Sequence, residues 1–280
     1  MVSSEQRRRQ LAREKYERQL ERRVAAQAAR RRRNTILGAS LAVVLLAGGG
    51  TLIATGAFSS DDKGDKKASA AKSAVPTDAG EPTTPTRKPV EGCAAPAPGA
   101  PNGKQWQAEP PMTIDPSGSY AMTLDSTCGK VTIALDAAKA PHTVNSFAFL
   151  AGEQYFDHTK CHRLTTDGIY VLQCGDPTAS ATVPGGSGGP GYKFADENLS
   201  GATYPAGTVA MANSGPGTNG SQFFLVYKDT KLPPNYTPFG KVTGGLDVVQ
   251  KIAAAGTLEG SSDGHPMADV TFNSVTVAKG

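Results

Sequence analysis

The sequence predicts a mainly all-β domain, an antiparallel barrel covered by two short helices, preceded by a single transmembrane helix and a disordered linker. Three observations carry this expectation. Short apolar runs with period-two alternation recur between turn residues from Met112 onward. Only two stretches there have helical spacing, and a 23-residue run without a charged side chain, Ile36 to Phe58, lies upstream. The 32 Gly and 20 Pro fit a turn-rich domain together with an unstructured segment.

The first 34 residues hold 12 Lys/Arg against 4 Glu, which leaves 17 basic and 21 acidic residues in the rest. The net charge of +4 therefore belongs to this tail, residues 1–35, and says little about the domain. Glu5/Arg9 and Glu14/Arg18 stand four apart, as ion pairs on a solvated helix do. A nucleic-acid role for the tail is weighed and set behind that of a cytoplasmic flank, so no nucleic-acid partner is expected. At 1.5 Å per residue the run 36–58 spans about 35 Å, enough for a hydrocarbon core of about 30 Å. Arg30–Arg33 abut its N-terminal end and orient that end to the cytoplasm. A cleavable signal peptide is the rival, but its charged and apolar regions are shorter and end in an A-x-A site. The expected location is the cell membrane, single-pass, with the C-terminal domain extracytoplasmic.

Residues 59–111 hold nine of the 20 prolines and few large apolar side chains, and are expected to be a disordered spacer, although Trp106 offers a group to pack on the domain. In the domain, 112–280, Tyr120, Met122 and Leu124, then Val131, Ile133 and Leu135, alternate about the turn Ser126-Thr127-Cys128-Gly129, which predicts a hairpin. Val144, Phe147, Ala148 and Ala151 mark one face of a helix that Gly152 ends. Further strands are expected at Cys161–Thr166, Tyr170–Cys174, Thr208–Ala212, Gln222–Tyr227 and Pro238–Val242. Leu246, Val249, Ile252 and Ala253 mark a second helix, and Asp269–Val277 a closing strand.

Two segments stand out chemically, CHRLTTDGIYVLQCGD at 161–176 and MANSGPGTNGSQFFLVY at 211–227. By themselves His162, Arg163 and Gln173 read as an ion-pair partner and two polar strand residues. Together with KFADENL at 193–199 and FGKV at 239–242, however, these segments resemble the cyclophilin family over about residues 112–280. The resemblance implies an eight-stranded antiparallel β-barrel capped by two helices, and a peptidyl-prolyl cis/trans isomerase that needs no cofactor and no metal. It implies catalytic roles for Arg163, Gln173 and Asn213. It implies substrate-binding roles for Tyr170, Val171, Ala212, Phe224, Leu232 and Tyr236, with His162 a neighbour of the arginine. The implied partners are proline-containing polypeptides, among them exported proteins in need of folding, and the domain is expected to act as a monomer. The alternative is a proline-segment binding module or chaperone with little turnover.

The sequence departs from the family in three places. Lys231 stands where members with high cyclosporin affinity carry tryptophan, which argues for weak inhibition. The loop from Arg163 to Tyr170 is two residues longer than in the best-known members, and Tyr170 and Val171 replace phenylalanine and methionine. All four cysteines follow the apolar run, in a compartment where disulfides persist. Cys161 and Cys174 fall on two strands expected to be adjacent, which leaves Cys93 to pair with Cys128. Free thiols or a zinc site compete with this reading, although no C-x₂-C pair is present. GGSGGPG at 185–191 lacks the Lys-Ser/Thr of a phosphate loop, and NGSQ at 219–222 lacks the spacing of a serine-nucleophile elbow.

Overall fold

The computed structural model describes residues 86–180 and 185–280. The basic tail, the apolar run 36–58 and the first part of the spacer lie outside the described residues. Among the described residues, no helix is long and apolar enough to cross a membrane.

Strands β1 (Tyr120–Ser126) and β2 (Gly129–Leu135) pair as a hairpin from Tyr120↔Leu135 to Ser126↔Gly129. Tyr120, Met122 and Leu124 point inward from β1, as do Val131, Ile133 and Leu135 from β2. The alternation of the sequence is thus the alternation of burial. Helix α1 (Pro141–Gly152) begins at a proline, whose missing N–H costs nothing there. Its N-terminus is capped by Glu197, which accepts bonds from the His142 N–H (3.0 Å) and the Thr143 N–H (2.8 Å). Val144, Phe147, Leu150 and Ala151 are buried along it, whereas Ala148 is only half-buried.

The chain continues through β3 (Arg163–Thr165), β4 (Val171–Cys174), β5 (Thr208–Met211), β6 (Phe223–Val226) and β7 (Pro238–Gly244). Helix α2 (Leu246–Ala254) packs Val249, Ile252 and Ala253 inward. Gly245 precedes it at φ +79°, where a Cβ would run into the Lys130 carbonyl, so only glycine fits. Strands β8 (Asp263–Gly264) and β9 (Phe272–Lys279) complete one antiparallel sheet in the order β8-β3-β4-β6-β5-β7-β2-β1-β9.

The expectation of an eight-stranded barrel is corrected in two respects. The described sheet has nine strands, because β8 is a two-residue rung in a turn-rich segment too short to show periodicity. The sheet is also curled, without a full ladder between its edges. Lys160, ahead of β3, bridges Thr271, ahead of β9, and the Cys161 N–H donates to the Val270 carbonyl at 2.9 Å. Inside the curl, Phe147 lies 4.6 Å from Phe239 and 5.5 Å from Phe223, ring centre to ring centre. Each such ring contributes roughly 1.5–3 kcal/mol by leaving water.

The disordered spacer expected over 59–111 is also corrected from residue 86 onward. That part is a strap on the domain. Arg87 Nη1 donates to the carbonyls of Pro266 (2.6 Å) and Ala268 (3.0 Å). The Ala94 N–H donates to the Thr127 carbonyl at 2.7 Å, beside a Cys93–Cys128 disulfide. Trp106 stands edge-on to Phe149 at 5.1 Å. Composition measures only how few large apolar side chains this segment carries. It could not show that Val90, Cys93 and Trp106 pack on the core of the domain. The second disulfide, Cys161–Cys174, joins the chain just before β3 to the end of β4.

Candidate active site

The register of four strands assembles the site. Arg163 on β3 faces Gln173 on β4, Gln173 faces Phe224 on β6, and Phe224 faces Ala210 on β5. Residues directly opposite in an antiparallel sheet share a face. Leu172, Cys174, Phe223 and Leu225 belong to the interior cluster. Their sequence neighbours Val171, Phe224 and Val226 belong to a second cluster on the outer face, with Tyr204 and Ala210 in it and Ala212, Leu232 and Tyr236 packed against it.

On this outer face opens a cavity of about 160 Å³, lined by Arg163, Ile169, Val171, Gln173, Ala212, Asn213, Phe224, Leu232 and Tyr236. Phe224 and Tyr236 meet edge to face at 5.6 Å, and the Tyr204 hydroxyl donates to the Tyr236 carbonyl at 2.8 Å, which fixes that wall. Asn213 Nδ2 donates to the Asn235 carbonyl at 2.8 Å and so anchors the rim.

Arg163 is held from two sides. Its Nε and Nη2 donate to the two carboxylate oxygens of Asp263, both at 2.8 Å, and Nη1 donates to Gln173 Oε1 at 3.2 Å. The hydrogen bond to Asp263 raises the arginine's pKa above its ordinary value, and the bond from Arg163 lowers that of Asp263. Gln173 Nε2 in turn donates to Gln222 Oε1 at 3.0 Å, and Gln222 Nε2 donates to the Gly188 carbonyl at 2.8 Å. This polar chain runs into a larger neighbouring cavity of about 470 Å³, which shares Gln173, Ala212 and Asn213 and adds Gly186–Gly191, Thr218 and Gln222. The rim of that cavity is shaped by Asp176, which accepts bonds from the N–H groups of Gly186 (2.6 Å), Ser187 (3.0 Å) and Gly188 (3.0 Å). Burial opposes ionisation of Asp176, but bonds from Thr178 and Gly188 outweigh it and lower the pKa.

Two of the residues named from the sequence lie elsewhere. Tyr170 does not line the notch. It stands edge-on to Tyr227 at 6.0 Å with Lys228 Nζ 4.4 Å over its ring, and Ile169 takes its place at the wall. Tyr170 turns to the opposite side from Val171, the first residue of β4, whereas Ile169 lies in the bend ahead of the strand. His162, only 7% exposed, is likewise on the opposite parity from Arg163. It packs under Gly185, and burial lowers its pKa. Ile169, in a bend before β4, carries no periodic signal. Gln222 and Asp263 had no local signal, because each reaches the site across the sheet.

The described residues thus form a curled antiparallel sheet with a small apolar notch on its outer face and a fixed guanidinium at the rim. The model of the family "Cyclophilin type peptidyl-prolyl cis-trans isomerase/CLD" matches residues 120–277, and the chain belongs to that family. Probable peptidyl-prolyl cis-trans isomerase B of Mycobacterium leprae (strain TN) is 46% identical over 178 residues, 59% of this chain and 58% of that protein. The chain thus spans less than two thirds of that relative's length. Peptidyl-prolyl cis-trans isomerase-like 1 of Mus musculus is 38% identical over 165 residues, 58% of this chain and 93% of the mouse protein. Among solved structures, a Cryptosporidium parvum cyclophilin type peptidyl-prolyl cis-trans isomerase superposes with a TM-score of 0.50 at 25% identity. The overlap covers 58% of this chain and 99% of that one.

Proposed function

We propose that the chain catalyses cis/trans isomerisation of X-Pro peptide bonds in polypeptides, with Arg163 as the catalytic group. The observation that carries this reading is the single cavity in which Arg163 and Gln173 face Val171, Phe224, Leu232 and Tyr236. Amide resonance opposes rotation by about 18–20 kcal/mol, whereas the two ground states at X-Pro differ by only about 0.5–1 kcal/mol. No covalent bond need break. The catalyst must favour the twisted amide, whose prolyl nitrogen becomes pyramidal and gains a localised lone pair. The apolar wall takes the pyrrolidine ring. Arginine offers five N–H donors. Three are engaged by Asp263 and Gln173, so two remain, one on each Nη, for the proline carbonyl and the developing lone pair. A permanent charge in a partly dry notch needs little reorganisation during rotation. Gln173 and the backbone of Asn213 clamp one side of the bond while the other turns.

The test is a peptide isomerisation assay on the purified chain of 280 residues beside Arg163→Ala. Loss of a positioned donor is expected to lower kcat/KM about 100-fold or more. Undiminished activity removes the arginine from the mechanism. Binding of proline peptides by the unaltered chain without turnover assigns it instead to the proline-segment binding modules.

The same proposal places the domain, acting as a monomer, on the extracytoplasmic side of a membrane, anchored by 36–58, where it assists folding of exported proteins. Its support is the uncharged run flanked by Arg30–Arg33, together with two disulfides suited to an oxidising compartment. Reporter fusions at the two ends test it, and a cytoplasmic C-terminus defeats it.

A further inference from the structure

The ion pair between Arg163 and Asp263 is half-exposed, with the two side chains 39% and 54% accessible. Exposed pairs add little to stability, so holding the fold together is a poor account of this one. Its geometry is nevertheless that of a fixed fork. Both carboxylate oxygens are used, at 2.8 Å each, on the Nε–Nη2 edge of the guanidinium. That edge faces away from the Nη1–Gln173 contact, so the ring of donors is clamped between β8 and β4. Bidentate pairing of this kind fixes orientation as well as distance.

Asp263 is itself placed by a built segment. Strand β8 pairs Asp263 with Thr165 and Gly264 with Leu164. The Thr166 N–H donates to the Ser262 carbonyl at 2.8 Å, and Ser261 Oγ donates to the Asp263 carbonyl at 2.8 Å. A bridge between Thr257 and Pro266, and a bond of 2.7 Å from the Leu258 N–H to the His265 carbonyl, close the segment at its base. The short strand β8, added at the sheet edge, thus delivers one carboxylate to one guanidinium.

We infer that Asp263 is the positioning residue of the site, holding Arg163 by its Nε–Nη2 edge so that the remaining Nη donors point into the notch. The inference rests on the isomerase reading given above, and it concerns how the arginine is aimed. Without the carboxylate the long side chain regains its rotamers, and the donors spend less time where a proline carbonyl would lie.

The experiment measures isomerisation of an X-Pro peptide by the full chain carrying Asp263→Ala, Asp263→Asn or Asp263→Glu, each alone and with Arg163→Ala. A misaimed catalytic group is expected to cost about 10- to 100-fold in kcat/KM. The loss should fall on kcat more than on KM, with partial rescue in Asp263→Glu and little change in the unfolding midpoint. In the Arg163→Ala background, Asp263→Ala should change nothing further, because Asp263 acts only through the arginine. If Asp263→Ala fails to fold, Asp263→Asn carries the same comparison. An inactive Arg163→Ala beside fully active Asp263 variants overturns this inference alone, as does an Asp263 effect that persists without the arginine. A fully active Arg163→Ala overturns the arginine reading and this inference with it.

Discussion

The two faces of β4 differ in what a side chain can do there. Leu172 and Cys174 turn inward to the phenylalanine-rich interior, where Leu172 is held by packing and Cys174 by its disulfide to Cys161 as well. Val171 and Gln173, one position away in sequence, turn outward to a notch that mixes an apolar wall with a rim of bonded polar groups. The inner face is saturated by the chain itself. The outer one leaves donors on Arg163 and a small cavity beside Phe224. A period of two residues therefore separates the part of the strand that holds the fold from the part that lines the notch.

Substitutions at adjacent positions break this comparison most directly. Leu172→Ala removes a side chain that is 1% exposed, and is expected to destabilise the domain by about 2–5 kcal/mol in a denaturant titration. The kcat/KM of the molecules still folded should be unchanged. Gln173→Ala, one residue on, should do the reverse. It removes a hydrogen bond that aims Arg163, and so should lower kcat/KM about 10-fold, at a stability cost of only about 1.5 kcal/mol. If the two variants behaved alike, the division of labour between the faces would be wrong.

The smallest effect sharpens the same contrast through pH. His162 lies beside Arg163 in sequence but away from the notch, and neither ring nitrogen has a hydrogen-bond partner among the described residues. Burial, the leading cause, lowers its pKa, so as pH falls the unfolded chain binds the proton before the folded one does. The stabilising contribution is complete above the ordinary histidine pKa of about 6.5, and is lost as pH falls from there through the folded value. His162→Leu should flatten the decline of urea stability that begins near that pH, and leave kcat/KM at pH 8 unaltered. An equally steep decline in the variant would show that another group sets it.

Much of this site was legible as residue identity. Arg163, Val171, Gln173, Ala212, Asn213, Phe224, Leu232 and Tyr236 were all named from the resemblance, and all line one cavity. Tyr170 matches the family pattern next to Val171, yet it turns to the other side of the sheet and leaves the cavity to Ile169. Asp263 was invisible. Its partner stands 100 positions earlier in the chain, and an Asp-Gly pair in a turn carries no mark of a guanidinium across the sheet. The order of the strap from residue 86 is not legible in composition, which measures what a segment can bury in itself, whereas Trp106 packs on Phe149 and Tyr155.

By itself the sequence determined what is local: alternation along each strand, helical spacing in two segments, proline at the start of α1 and the chemistry available at each position. The tertiary structure alone decided what is opposite. It set Arg163, Gln173, Phe224 and Ala210 in one row across four strands, and brought β8 to the edge to meet the arginine. Register and edge pairing depend on contacts distant along the chain, where a one-residue slip would send every side chain of a strand to the other face.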